Sequence, residues 1–90
     1  MIHDPRKRKA NLRKHKVDLA DCYEAFDAPM LTREDTREDY GEQRFVSLGL
    51  AHGTVVVLVW VDSQDEPRLI SCRKAEPHEE EAYYREYRQV

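Results

Sequence analysis

The segment Arg68-Leu69-Ile70-Ser71-Cys72-Arg73-Lys74-Ala75 carries the strongest chemical signal in this chain. It reads as a β-strand that ends in Arg-Lys and hands over to an acidic, tyrosine-bearing helix. Cations fixed at a sheet edge suit the recognition of phosphates. Side-chain alternation sends Leu69, Ser71 and Arg73 to one face, and Ile70 and Cys72 to the other, toward the covering helices. Arg68 then points with Ile70 unless a bulge intervenes. On the following helix Glu79 and Tyr83 are four apart and share a face. Glu79 near Arg73 is either a general base or the counter-ion that orients the guanidinium. Tyr83, Tyr84 and Tyr87 form a stripe that serves either core packing or a site, and each Arg alone reads equally as a surface ion pair. Arg, Lys, Glu, Tyr and His together suit metal-free RNA cleavage. In that reaction the ribose 2′-hydroxyl attacks the adjacent phosphate. A base removes its proton, an acid protonates the leaving oxygen, and cations stabilise the phosphorane.

Other chemistries find less support. His3, His15, His52 and His78 are scattered, with no ligand spacing among them or with Cys22 and Cys72, so neither a metal site nor a cofactor is expected. No phosphate loop, dinucleotide fingerprint or nucleophile elbow occurs. The two cysteines lie in apolar contexts and read as reduced, buried small hydrophobes. The longest apolar run, Thr54 to Val61, is far too short to span a membrane. A cytoplasmic location is expected.

The elements that must position these residues follow from the pattern. Ninety residues suit one domain over residues 1–90, and 37% charged residues confine the core to a few segments. Met1-Ile2-His3 fits a short first strand. Asp4-Pro5 starts a helix that runs to about His15, with Ala10 and Leu12 as its apolar content. Asp18 caps a second helix, whose Leu19, Cys22, Tyr23 and Phe26 recur on one face until Pro29 stops it. Met30-Leu31-Thr32 is a short strand or a connector, and residues 33–43 form a charged loop. Three strands follow, at Arg44–Leu50, Thr54–Val61 and Arg68–Lys74, joined by short polar turns as an antiparallel meander. A last helix covers about Pro77 to Arg88. The fold class is α+β: an antiparallel sheet of three to four strands with two N-terminal helices and a C-terminal helix. One face is covered by helices and the other is left open. Charge is uneven, because residues 1–16 hold seven Lys/Arg against Asp4 alone, whereas residues 17–43 hold nine acids against Arg33 and Arg37. A basic N-terminus on an acidic body reads either as a solvated helix face or as an anion-binding segment.

Five groups of residues, in order along nearly the whole chain, resemble the BrnT family of ribonuclease toxins from type II toxin–antitoxin modules. They are Asp4-Pro5 with Asn11-Leu12-Arg13-Lys14-His15, Val17 with Glu24-Ala25-Phe26, Gly41-Glu42-Gln43-Arg44-Phe45 with Gly49, Arg68 to Ala75, and Glu79 with Tyr83. The resemblance implies a RelE-like fold and an RNA substrate. It also implies a ribbon-helix-helix, BrnA-like antitoxin that neutralises the toxin and alone contacts DNA. By the same likeness Arg44, Arg73 and Glu79 lead the candidate catalytic residues, followed by Lys14 and His15, then Tyr83. The chain departs from the family pattern at three places. Lys16 stands where a glycine usually follows Lys-His, and Ser63 lies where many members place an arginine. The last helix is acidic, with Glu76, Glu79, Glu80, Glu81 and Glu86. These departures leave a second expectation beside the ribonuclease, a degenerate homologue that only binds its antitoxin.

Overall fold

A computed structural model describes residues 4–37, 39, 41–63 and 66–87. The short strand expected at Met1-Ile2-His3 lies outside the described residues. Helix α1, Pro5–His15, begins as its sequence dictates. The Asp4 carboxylate accepts the Arg6 N–H at 2.8 Å, and Pro5 occupies the first turn, where no N–H is needed. Lys16 ends the helix in the left-handed region at φ 61°, its N–H bonded to the Leu12 carbonyl at 2.9 Å. This is the conformation in which a glycine would be unstrained. The burial of α1 differs from expectation: Leu12 is 47% exposed, whereas Asn11, at 5%, is the residue the helix buries.

Helix α2, Leu19–Cys22, is capped by Asp18, which also takes a bidentate ion pair from Arg8 at 2.7 and 2.8 Å. It tightens into a 3₁₀ turn at Tyr23–Asp27, so the expected second helix is two short pieces. Strand β1, Leu31–Asp35, pairs with β2, Arg44–Ala51, and takes in Arg33, Glu34 and Asp35 from the stretch expected to be loop. An edge strand tolerates such polar residues because only one flank is paired. Strand β3, Thr54–Val61, follows a two-residue turn in which His52 and Gly53 both have positive φ, at 50° and 76°. Strand β4, Arg68–Lys74, and helix α3, Pro77–Glu86, complete the chain order. The sheet is antiparallel throughout, in the order β1-β2-β3-β4.

Strand β4 does not alternate simply. Val59 opposes Ser71, but Trp60 opposes Leu69, so Ile70 is an extra residue in a bulge. Leu69 and Cys72 are therefore both in the core, whereas alternation alone put them on opposite faces. The same bulge turns Arg68, opposite Val61, to the face that carries Arg73, opposite Val57.

Helix α2 and the 3₁₀ turn cover one sheet face, where Leu19, Cys22 and Ala25 meet Val56, Leu58, Leu69 and Cys72. Gly49 permits this approach, since a Cβ there would lie 3.0 Å from the Ala25 Cβ and 3.2 Å from Met30. Cys22 and Cys72 form a disulfide within this core, which corrects the expectation of two reduced thiols. Their positions, far apart in sequence, become neighbours when α2 seats on β4.

Helix α1 lies along the outer edge of β4. The Asn11 side chain donates to the carbonyls of Cys72 and Val17 at 2.7 and 2.9 Å and accepts the Cys72 N–H at 3.0 Å. One amide thereby replaces part of a missing neighbouring strand, and the buried edge groups stay paired. Helix α3 crosses the opposite face at one end, so that face is only partly open. The Tyr83 and Tyr87 hydroxyls donate to the Pro29 and Met30 carbonyls at 3.3 and 3.1 Å and tie α3 to the start of β1.

A candidate active site on the arginine-bearing face

The part of this face that α3 leaves uncovered is a cleft of about 230 Å³. Its floor is Val46, Val57 and Val59, from the two central strands. Arg33 rises from β1, Arg37 from the segment after it, Ser71 and Arg73 from β4, Glu79 from α3, and His15 from the last turn of α1. Five separate stretches of chain therefore converge on one apolar floor.

Arg73 and Glu79 form the best-defined pair. Two guanidinium N–H groups of Arg73 donate to the two carboxylate oxygens of Glu79 at 2.8 and 2.9 Å, and Arg73 also donates to the Lys74 carbonyl at 3.2 Å. The local sequence arranges this. Pro77 starts α3 and Glu76 caps it. Glu79, three residues on, accepts the Glu76 N–H at 2.8 Å in a capping box. With Arg73 as the first cause, the Glu79 carboxyl falls from its ordinary 4.5 to about 2. The same bond raises the Arg73 guanidinium above its usual range. Glu79 is thus a permanent carboxylate with little affinity for a proton. Of the two roles open to it from the sequence, this geometry fits the counter-ion that orients Arg73. The Arg73 side chain remains 37% exposed and still faces the cleft.

Arg37 is held in a similar way. It reaches back with two bonds of 2.8 Å to Asp35, a buried carboxylate at the end of β1. Arg44 is absent from the cleft lining. It pairs in register with Asp35, and its Nε lies 3.5 Å from Glu42, which also takes Arg68 at 2.9 Å. Glu42 thereby gathers Arg44 and Arg68. Lys14 lies in an adjoining groove with Lys7, Asn11, His15, Ile70 and Ser71. Tyr83 is buried, packs against the rings of Tyr84 and Tyr87, and has its phenol raised chiefly by desolvation. It does not line the cleft, and its contacts are those of a packing residue. Ser63 donates to the Glu66 carbonyl, ahead of β4.

Arg33 and Arg37 are cleft residues that the sequence did not mark, because the charged stretch 33–43 has no apolar period. Leu31-Thr32-Arg33-Glu34-Asp35 has no alternation of apolar and polar residues, so its own sequence carries no strand signal. Among the described residues no three His, Cys, Asp or Glu side chains gather as metal ligands, and no helix is long and apolar enough to cross a membrane.

The chain is a small α+β domain whose partly open sheet face presents an imidazole and guanidinium groups, two of them held by carboxylates. The family described as "Ribonuclease toxin, BrnT, of type II toxin-antitoxin system" matches residues 3–79, and this chain belongs to it. An antitoxin partner is part of what that family is. The crystal structure of the Brucella abortus ribonuclease toxin BrnT, at 1.1 Å resolution, is similar to this chain. The identity is 25% and the TM-score 0.63, over 84% of this chain and 95% of that one. No curated protein matches the sequence.

Proposed function

We propose that this chain cleaves RNA without a metal ion, with the scissile phosphate held in the Arg33–Arg37–Arg73 cleft. The observation that carries this reading is Arg73: fixed by two bonds to Glu79, yet still more than a third exposed over the cleft. A guanidinium oriented before substrate arrives stabilises charge that grows on the phosphorane without reorganising at the moment of reaction. His15 transfers the protons, since imidazole is the side-chain type suited to that task near neutral pH. It takes the proton of the 2′-hydroxyl as the bond from that oxygen to phosphorus forms. The imidazolium returns a proton to the 5′ oxygen as its bond to phosphorus breaks. The products are a 2′,3′-cyclic phosphate and a 5′-hydroxyl. Glu79 acts through Arg73 as a positioning residue. Arg44 and Lys14 extend the cationic track on either side, while Tyr83 holds α3 in place.

The test is cleavage of a fluorescent RNA by the purified chain in EDTA, with the termini identified. Arg73→Ala is expected to lower the rate about 10²–10³-fold and to relieve growth arrest on expression. Equal rates for the two proteins, at equal amounts, would remove Arg73 from the mechanism. Failure of the unaltered chain to cut any RNA while it still binds its antitoxin would make it the degenerate homologue.

The antitoxin is proposed to be of the ribbon-helix-helix, BrnA-like type, with the toxin reaching DNA only through it. The site of action is proposed to be the cytoplasm, where RNA is translated. Covering of the arginine-bearing face would neutralise the toxin by excluding RNA. Gel-shift observation of RNA, toxin and antitoxin in one complex would contradict this.

A further inference from the structure

The arginine cleft opens on two sides, and the two sides differ in chemistry. Toward α1 it continues through His15 and Ser71 into a groove that carries Lys7 and Lys14. Toward α3 it continues, through Arg33, Val46, Val57 and Glu79, into a groove of about 350 Å³ lined largely by carbon. Leu31, Leu48, Val57 and Ala82 supply the apolar surface of that second groove, while His78 offers a polar group. A nucleotide has the same division, with an anionic backbone and a flat, largely apolar base whose edge bears hydrogen-bonding atoms. A volume of this order, with few polar groups on an apolar lining, is typical of small-molecule sites.

Taking the arginine cleft as the phosphate site proposed above, we infer that the apolar groove between β1, β2 and α3 is a nucleobase subsite. It receives the base next to the phosphate held at Arg73 and sets the sequence at which the RNA is cut. The α1 side carries cations that read any backbone alike. The α3 side has a shape that admits some bases better than others. A single RNA strand laid across the cleft therefore has its backbone toward Lys7 and Lys14, and one base under α3. Selectivity by pocket size alone is modest, and tens of fold in kcat/KM is the scale to expect.

Two variants change the groove in opposite directions. Ala82→Leu fills it and Leu31→Ala enlarges it, and neither residue is fully buried. Cleavage sites in a random-sequence RNA pool are mapped for the unaltered chain and for both variants, with thermal melting to establish that each is folded. The inference expects Ala82→Leu to shift preference at one base beside the cut toward pyrimidines by tenfold or more in kcat/KM. Leu31→Ala should shift it toward purines. An RNA lacking the base at that one position should be cut equally by all three proteins. Unchanged preference in both folded variants, with the unaltered chain active, would overturn the subsite and leave the phosphate site standing. No cleavage by the unaltered chain would overturn the phosphate reading, and this inference with it. Unchanged cleavage together with escape from the antitoxin would assign the groove to the antitoxin and refute the subsite.

Discussion

Replacement of Glu79 by glutamine isolates the electrostatic part of the Arg73–Glu79 pair. Glutamine keeps the shape and can still accept the Glu76 N–H, but it carries no charge. The folded chain holds the carboxyl at about 2 instead of its ordinary 4.5. At ~1.4 kcal/mol for each tenfold change in proton affinity, that depression corresponds to about 3 kcal/mol. Glu79 is 19% exposed and Arg73 37%, so water screens the pair. Screening on this scale reduces the figure to about 1.5 kcal/mol. The sign follows from the depression: protons bind the unfolded chain more readily than the folded one. Stabilisation by Glu79 is therefore complete above 4.5 and is lost as pH falls through about 2. Urea unfolding read by the single tryptophan, Trp60, compares Glu79→Gln with the unaltered chain along a pH series. The difference should be about 1.5 kcal/mol near neutral pH and should close toward zero at about pH 2. Other carboxylates titrate in the same range but cancel in the difference. A gap that stays constant down to acid pH, or that never exceeds about 0.5 kcal/mol, would show that charge pairing does not hold Arg73 in place.

Two further substitutions test how the frame carries the site. Asn11→Ala leaves the Cys72 N–H and carbonyl at the buried edge of β4, and the Val17 carbonyl, without their partner, and should cost about 2–4 kcal/mol in urea unfolding. A loss under about 1 kcal/mol would mean that water replaces the amide. Lys16→Gly relieves a left-handed backbone at φ 61° and should raise stability by about 0.5–1 kcal/mol, seen as a higher melting temperature. A lower melting temperature would show that Lys16 makes a compensating contact.

What the sequence alone determined is local. Asp4-Pro5 and Asp18 start their helices because a side-chain cap and a fixed φ act within one turn of chain. The strands of the second half follow from runs of apolar residues bounded by turn formers, and all three expected strands are present. Arg73 and Glu79 meet because six residues of strand end and capped helix start leave them little freedom to part. The family was legible for the same reason, since its motifs are short and ordered. Other features waited for the tertiary structure. The bulge at Ile70 moved Leu69 into the core and Arg68 to the open face, and register belongs to two strands at once. Strand β1 exists because β2 pairs with it, not because Arg33-Glu34-Asp35 favours a strand, and it brings Arg33 to the cleft. Asn11, an unremarkable polar residue in the helix, became a buried clamp only when α1 met the edge of β4. Tyr83 went to packing and the two cysteines to a disulfide, because partners distant in sequence came within reach. Pairing energies are set by which groups burial brings together, and chain order alone does not specify that.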